Sequence, residues 1–170
     1  MKALLLTAST DGHSVKIMRL IASEMLCDNY DIIDIHTNPQ IDWQAYDMVV
    51  IGASIRYGHY HKNLYAFIET HHEALNNMPS YFFGINLVAR KMGKNTPETN
   101  IYTKKLLQKI KWTPKKAAVF AGACSWSKYN FWQTKIIQFI MIMTKGPTDT
   151  STDIEFTDWD QVRSFAKSLV

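Results

Sequence analysis

Five short apolar runs alternate with segments of helical period, save that the second is followed only by a short connection, "TNPQIDWQAY", with room for one helical turn at most, and this alternation restricts the fold more than any other feature. The first run, "KALLLTA" (2–8), is continuously apolar, as a parallel strand buried on both faces requires. The others are "YDIIDIH" (30–36), "DMVVIGAS" (47–54), "SYFFGINLVA" (80–89) and "KKAAVFAGA" (115–123). Helices are expected at 14–26, with Val15, Met18, Leu20, Ile21, Met25 and Leu26 broadly on one side, and at 62–77, with Leu64, Phe67, Ile68 and Leu75 as the core stripe. A third helix, 96–110, is entered through Thr96-Pro97-Glu98. A short strand after Asp153 and a helix capped by Thr157 or Asp158 follow. The pattern predicts an α/β fold, a doubly wound five-stranded parallel sheet with helices on both faces. The 170 residues are expected to form one domain, 1–170. Residues 124–153 do not fit a minimal alternation and are expected to be a partly helical insertion after strand five.

Composition narrows the function classes. With 46% hydrophobic and 20% charged residues the chain is globular rather than disordered. Its two cysteines, Cys27 and Cys124, form no CxxC pair, which argues against a disulfide framework and suits a reducing compartment. The first dozen residues lack the apolar h-region of a signal peptide. No apolar run approaches the roughly 20 residues needed to span a bilayer. Net charge is +4, and nine of the 19 basic residues lie between Arg90 and Lys116, where Glu98 is the only acid. Such a segment is either a solvated face or a surface that attracts phosphates, anionic lipid or an acidic small molecule. No nucleic-acid partner is expected. No metal is expected either, because adjacent His71 and His72 on a helix diverge by about 100° and no acid or cysteine cluster stands near His59 in sequence. Cys124 has no evident acid–base partner, and a GxSxG nucleophile elbow is absent.

The segment between the first strand and the first helix carries chemistry. In a doubly wound sheet, ligands sit beyond the carboxyl ends of the strands, where a helix start offers unpaired N–H groups and a partial positive charge. Ser9, Thr10 and Ser14 add hydroxyls there, and Gly12 permits a sharp bend. The segment is expected to hold a phosphate. No Gly-Lys-Ser/Thr follows it and only one glycine is present, so it is neither a P-loop nor a GxGxxG turn. Thr7-Ala8 and Gly52-Ala53 stand where a response-regulator domain would need acids.

The stretch "STDGHS", Ser9 to Ser14, resembles the hydroxyl-rich loop of the flavodoxin family, which holds the phosphate of flavin mononucleotide (FMN). The resemblance implies strand order 2-1-3-4-5 and a cofactor site made of Ser9, Thr10, Asp11, Gly12, His13 and Ser14. Asp11 and His13 replace the more usual Thr and Asn, so the Asp11 carboxylate is expected to turn away from the phosphate while its N–H serves. The flavin ring would then be walled by the loops after strands three and four. The first supplies Ala53, Ser54, Ile55, Arg56, Tyr57 and Gly58, with Tyr57 and Tyr60 as stacking candidates. The second supplies Asn86, Leu87, Val88 and Ala89, whose amides would stabilise charge on the reduced ring.

Taken together, "VVIGASIRYGHYH", "NLVARK" and "FTDW" are similar to a narrower group, the menaquinone-dependent protoporphyrinogen IX dehydrogenases of haem biosynthesis. That resemblance covers nearly the whole chain. It implies oxidation of protoporphyrinogen IX, with electrons passed through FMN to a membrane menaquinone or ubiquinone, at the cytoplasmic face of the bacterial inner membrane. Arg56, Arg90 and Lys91 become candidates to pair the substrate's propionates. Trp126, Tyr129, Phe131 and Trp132 are available as an aromatic surface near the flavin. A helix in 128–145 would put Trp132, Ile136, Phe139, Ile140 and Met143 on one side and Lys135, Gln138 and Lys145 toward the other, suited to lie on a membrane surface. The same apolar side would also serve to pack on the domain or on a second copy in a homo-oligomer. A flavodoxin-type electron carrier and an NAD(P)H:quinone reductase are the alternatives. The first is at odds with a pI near 9.0.

Overall fold

The computed structural model describes residues 1–9, 12–27 and 29–170. Five parallel strands form the sheet: β1 (Lys2–Ala8), β2 (Asn29–Asp34), β3 (Met48–Arg56), β5 (Ser80–Asn86) and β6 (Lys116–Ala121), in the order β2-β1-β3-β5-β6. This is the expected order, with one addition. A two-residue strand, β4 (His59–Tyr60), turns back antiparallel on the end of β3, pairing Ile55 with Tyr60 and Arg56 with His59. The hairpin was not anticipated because its loop, Tyr57-Gly58, lacks the usual Asn-Gly signal. Both loop residues nevertheless have positive φ, 52° and 84°, as a two-residue hairpin turn of the primed type demands.

The interior strands bury alternate side chains on opposite faces. Ala3 and Leu5 of β1, with Val50, Phe83 and Phe120, pack under α1 (His13–Glu24) and α5 (Trp159–Lys167) through Ile17, Met18, Ile21, Val162 and Phe165. Leu4 and Leu6, with Val49, Ile51 and Phe82, pack under α2 (Lys62–Asn76) and α3 (Ile101–Lys109) through Leu64, Phe67, Ile68 and Leu106. The stripe expected on α2 is buried as a unit. On the first helix Ile17 takes the place expected of Leu26, which lies beyond the helix end and is exposed.

Three boundaries move for local reasons. β5 stops at Asn86, whose side chain caps a 3-10 turn, Leu87–Arg90, so residues 87–89 are not strand. α3 begins at Ile101 behind an Asn100 cap, while Thr96 and Thr99 hydrogen-bond each other in a preceding turn. β6 ends at Ala121. The chain re-forms a short strand, β7 (Ala123–Cys124), which pairs antiparallel with β8 (Ile154–Glu155). This small ladder closes the base of the insertion. Between its strands runs α4 (Phe131–Met143), started by an Asn130–Gln133 capping box. Among the described residues no helix is long and apolar enough to cross a membrane.

Candidate active site

The carboxyl ends of β1, β3 and β5 open into a cavity of about 310 Å³. At the β1 end stand Ser9 and the start of α1. Gly12 precedes that helix at φ 74° and has no side chain to cap it, whereas His61, Asn100, Asn130 and Asp158 cap the other four α-helices. A helix start carries a partial positive charge that suits an anion, and glycine at its N-cap keeps side-chain bulk away from it. His13 lines the cavity and its Nε2 lies 2.7 Å from Thr157 Oγ1. Thr157 donates its only hydroxyl proton to the Ala121 carbonyl at 2.8 Å, so it accepts from His13, whose Nε2 must carry a proton.

The second wall comes from β3 and its hairpin. Ser54 Oγ donates to Ser9 Oγ at 3.1 Å, joining two strand ends through hydroxyls. Ile55, Arg56, Tyr57 and Gly58 continue along the rim, with Arg56 Cζ 5.9 Å from the Tyr57 ring centre. A tyrosine held in the left-handed region is under backbone strain of about 1–2 kcal/mol, a feature that clusters at functional sites.

The third wall is Asn86, Leu87 and Val88. Asn86 is fixed by a reciprocal pair with Asn100: each side-chain amide donates to the other's oxygen, at 3.2 and 3.1 Å. Asn86 Oδ1 also accepts from Ala89 N–H, and Asn100 Oδ1 from Thr103 N–H, so the pair caps a turn and a helix at once. The remaining walls are Tyr102, Ser125, Tyr129 and, from the underside of α4, Ile137 and Ile140.

A flavodoxin-domain family model matches residues 4–151. The chain belongs to the flavodoxin family. The protoporphyrinogen IX dehydrogenase [quinone] of Escherichia coli strain K12 is 43% identical over 99% of this chain and 94% of its own length. A relative of that same description from Leishmania major is 44% identical over 99% of this chain and 74% of its own. Among solved structures, two-electron reduced Megasphaera elsdenii flavodoxin aligns with 69% of this chain and 84% of its own at a TM-score of 0.51 and 9% identity, a likeness of fold alone.

Within this flavodoxin-family frame several expected site residues are placed otherwise. Thr10 and Asp11 lie outside the described residues. Ser14 is fully buried and its hydroxyl pairs with Thr7 Oγ1 at 2.6 Å, so it buttresses the loop from below. Ala53 and Ala89 are buried behind the walls, and the Ala89 amide is taken by Asn86. Tyr60 is not a stacking residue. It is 2% exposed, donates to or accepts from Thr103 Oγ1 at 2.8 Å, and burial pushes its phenol far above the usual range. Neither Arg90 nor Lys91 lines the cavity. Arg90 instead bonds the Leu87 carbonyl and Thr144.

The insertion also differs in detail. Trp126 is buried with Cys124 and Met141, and of the four expected aromatics only Tyr129 reaches the cavity. Ile140 turns inward rather than joining the outer side, and Lys135 stands among the outward residues rather than opposite them. The outer face of α4 is consequently Phe131, Trp132, Ile136, Phe139, Ile142 and Met143, all exposed, around Lys135. Sequence reasoning missed Ile137, Tyr102 and Asn100.

Proposed function

We propose that this protein is an FMN-dependent oxidoreductase that converts protoporphyrinogen IX to protoporphyrin IX for haem synthesis and passes the electrons to a membrane quinone, menaquinone or ubiquinone. The observation that carries this reading is the roof of the cavity. A helix that turns Ile137 and Ile140 into the cavity while exposing six large apolar side chains outward suits an enzyme whose reactants are large, apolar and membrane-resident. A diffusible electron carrier has no use for such a face. The names of the 43–44% identical relatives support the same substrate and acceptor.

The residues fit FMN. The glycine-preceded start of α1, with Ser9 and Ser54 near it, suits the phosphate. Tyr57 and Ile55 offer flat and apolar surface to the ring. Asn86 braces the turn that presents Leu87 and Val88. Bound there, FMN would take up hydrogens from the porphyrinogen and hand electrons to the quinone. Arg56, at the rim, supplies a cation for a propionate, and Ile137, Ile140 and Tyr129 exclude water. Chain 1–170 acts as one domain held peripherally at the cytoplasmic face of the inner membrane by the outer side of α4, with Lys128, Lys135 and Lys145 toward anionic headgroups.

Anaerobic turnover of protoporphyrinogen IX by the FMN-loaded protein with a menaquinone analogue, read as porphyrin fluorescence, tests the assignment. Quinone-dependent fluorescence growth is expected. A folded protein that takes up no FMN, or whose flavin is bleached rapidly by NADPH while protoporphyrinogen is ignored, would overturn it, the latter result pointing to an NAD(P)H:quinone reductase.

A further inference from the structure

Arg90 occupies a junction of three elements. Its Nη1 donates to the Leu87 carbonyl at 2.6 Å, and its Nη2 donates to Thr144 O at 3.1 Å and Thr144 Oγ1 at 2.9 Å. Thr144 Oγ1 gives its own proton to the Ile140 carbonyl at 2.8 Å, so it accepts from the guanidinium. The cation also stands over the Phe156 ring, 5.8 Å from its centre, just past β8. Thr144 is the C-terminal cap of α4, where carbonyls lack helical partners and a positive charge is favoured. Leu87 opens the turn that forms the third wall of the cavity. Gly146 makes room for the contact: a Cβ there would lie 2.5 Å from Arg90 Nη2 and 2.8 Å from Met141 Cε.

We propose that Arg90 is a positioning residue, a latch that ties the end of α4 to the Leu87–Arg90 turn and so holds Ile137 and Ile140 in place as the roof of the cavity. The latch rests on the reading of this cavity as the cofactor and substrate site. The arginine meets protein oxygens, not the substrate. Swinging it toward a propionate would strand the half-buried oxygens of Leu87 and Thr144, a loss that hydrogen bonds to a charged donor make costly. The helix itself is secured separately, by its Asn130–Gln133 capping box and by Met141 packed on Trp126 and Cys124. Releasing the latch therefore loosens the roof and leaves the sheet intact.

Arg90→Ala, Arg90→Lys and Gly146→Ala in the full-length, FMN-loaded protein test this. In Arg90→Ala and Gly146→Ala, proteolytic cleavage within 131–146 should quicken about tenfold or more, since opening of that segment no longer breaks the latch bonds. KM for protoporphyrinogen IX should rise about tenfold with kcat changed less than about threefold, and equally for its dimethyl ester. Arg90→Lys, which keeps a charge but not the forked geometry, should fall between. Cleavage at the parental rate in both variants overturns the latch. So does a KM penalty that disappears with the dimethyl ester, which would make Arg90 a propionate partner. The cleavage measurement needs no turnover, so it decides the latch even if protoporphyrinogen proves not to be the substrate.

Discussion

The outer face of α4 makes a quantitative prediction. Trp132 and Phe139 are 73% and 63% exposed, and Ile142 and Met143 are similarly bare. Fully removing a large apolar side chain from water is worth about 1.5–3 kcal/mol, so the exposed share of Phe139 contributes about 1–2 kcal/mol if it enters lipid. Phe139→Ser should then weaken vesicle partition about tenfold, and Trp132→Ser with Phe139→Ser about a hundredfold. Lys128, Lys135 and Lys145 add roughly 1 kcal/mol each near an anionic surface, a part that added salt should remove. Co-sedimentation with vesicles of mixed neutral and anionic phospholipid measures both parts. Thermal melting serves as the control, because these side chains are bare in the fold and their loss should leave the midpoint nearly unchanged. The reasoning is refuted if the double variant sediments with vesicles as the parent does.

Two further outcomes follow from buried positions. At Gly84 of β5 a Cβ would overlap the Tyr60 hydroxyl and stand 2.8 Å from Thr103 Oγ1, so Gly84→Ala must break that buried bond. A cost of about 3 kcal/mol is expected, seen in calorimetry as a fall in Tm of roughly 6–12 °C; an unchanged Tm would contradict the packing. Burial raises the Cys124 thiol from 9.0 to about 11, with the nearby Arg90 charge opposing. A thiol that keeps its proton in the fold after the unfolded chain has lost its own contributes stability that is intact below pH 9 and drains away as pH climbs toward 11. Denaturant titrations on either side of that window should show a smaller alkaline loss in Cys124→Ala than in the parent, and equal losses would disprove the shift.

The sheet was legible because its strands are nearly continuous apolar runs, and the α2 stripe because three-four spacing leaves one solution for Leu64, Phe67, Ile68 and Leu75. The cavity's position followed from the rule that such sheets bind ligands at their carboxyl edge. Individual roles were harder to read. Tyr57 and Tyr60 are close in sequence and chemically alike, yet an unforeseen hairpin turns one to the cavity and the other into the core. Arg90 stood as a propionate candidate because no local pattern reveals that the chain returns to it 54 residues later. On α4, apolar residues occur all around the helix, so periodicity could not separate the roof from the outer face.

The reciprocal amides of Asn86 and Asn100 behave like a base pair: a donor and an acceptor on each side chain face their counterparts on the other, out of water. An aspartate at either position would set oxygen against oxygen, and an apolar residue would strand its neighbour. Neither site is free to drift alone. Chains that keep this junction should change the two positions together or not at all, so a lone replacement at 86 or 100 in a related sequence would signal that the β5 turn and the start of α3 have been rebuilt there.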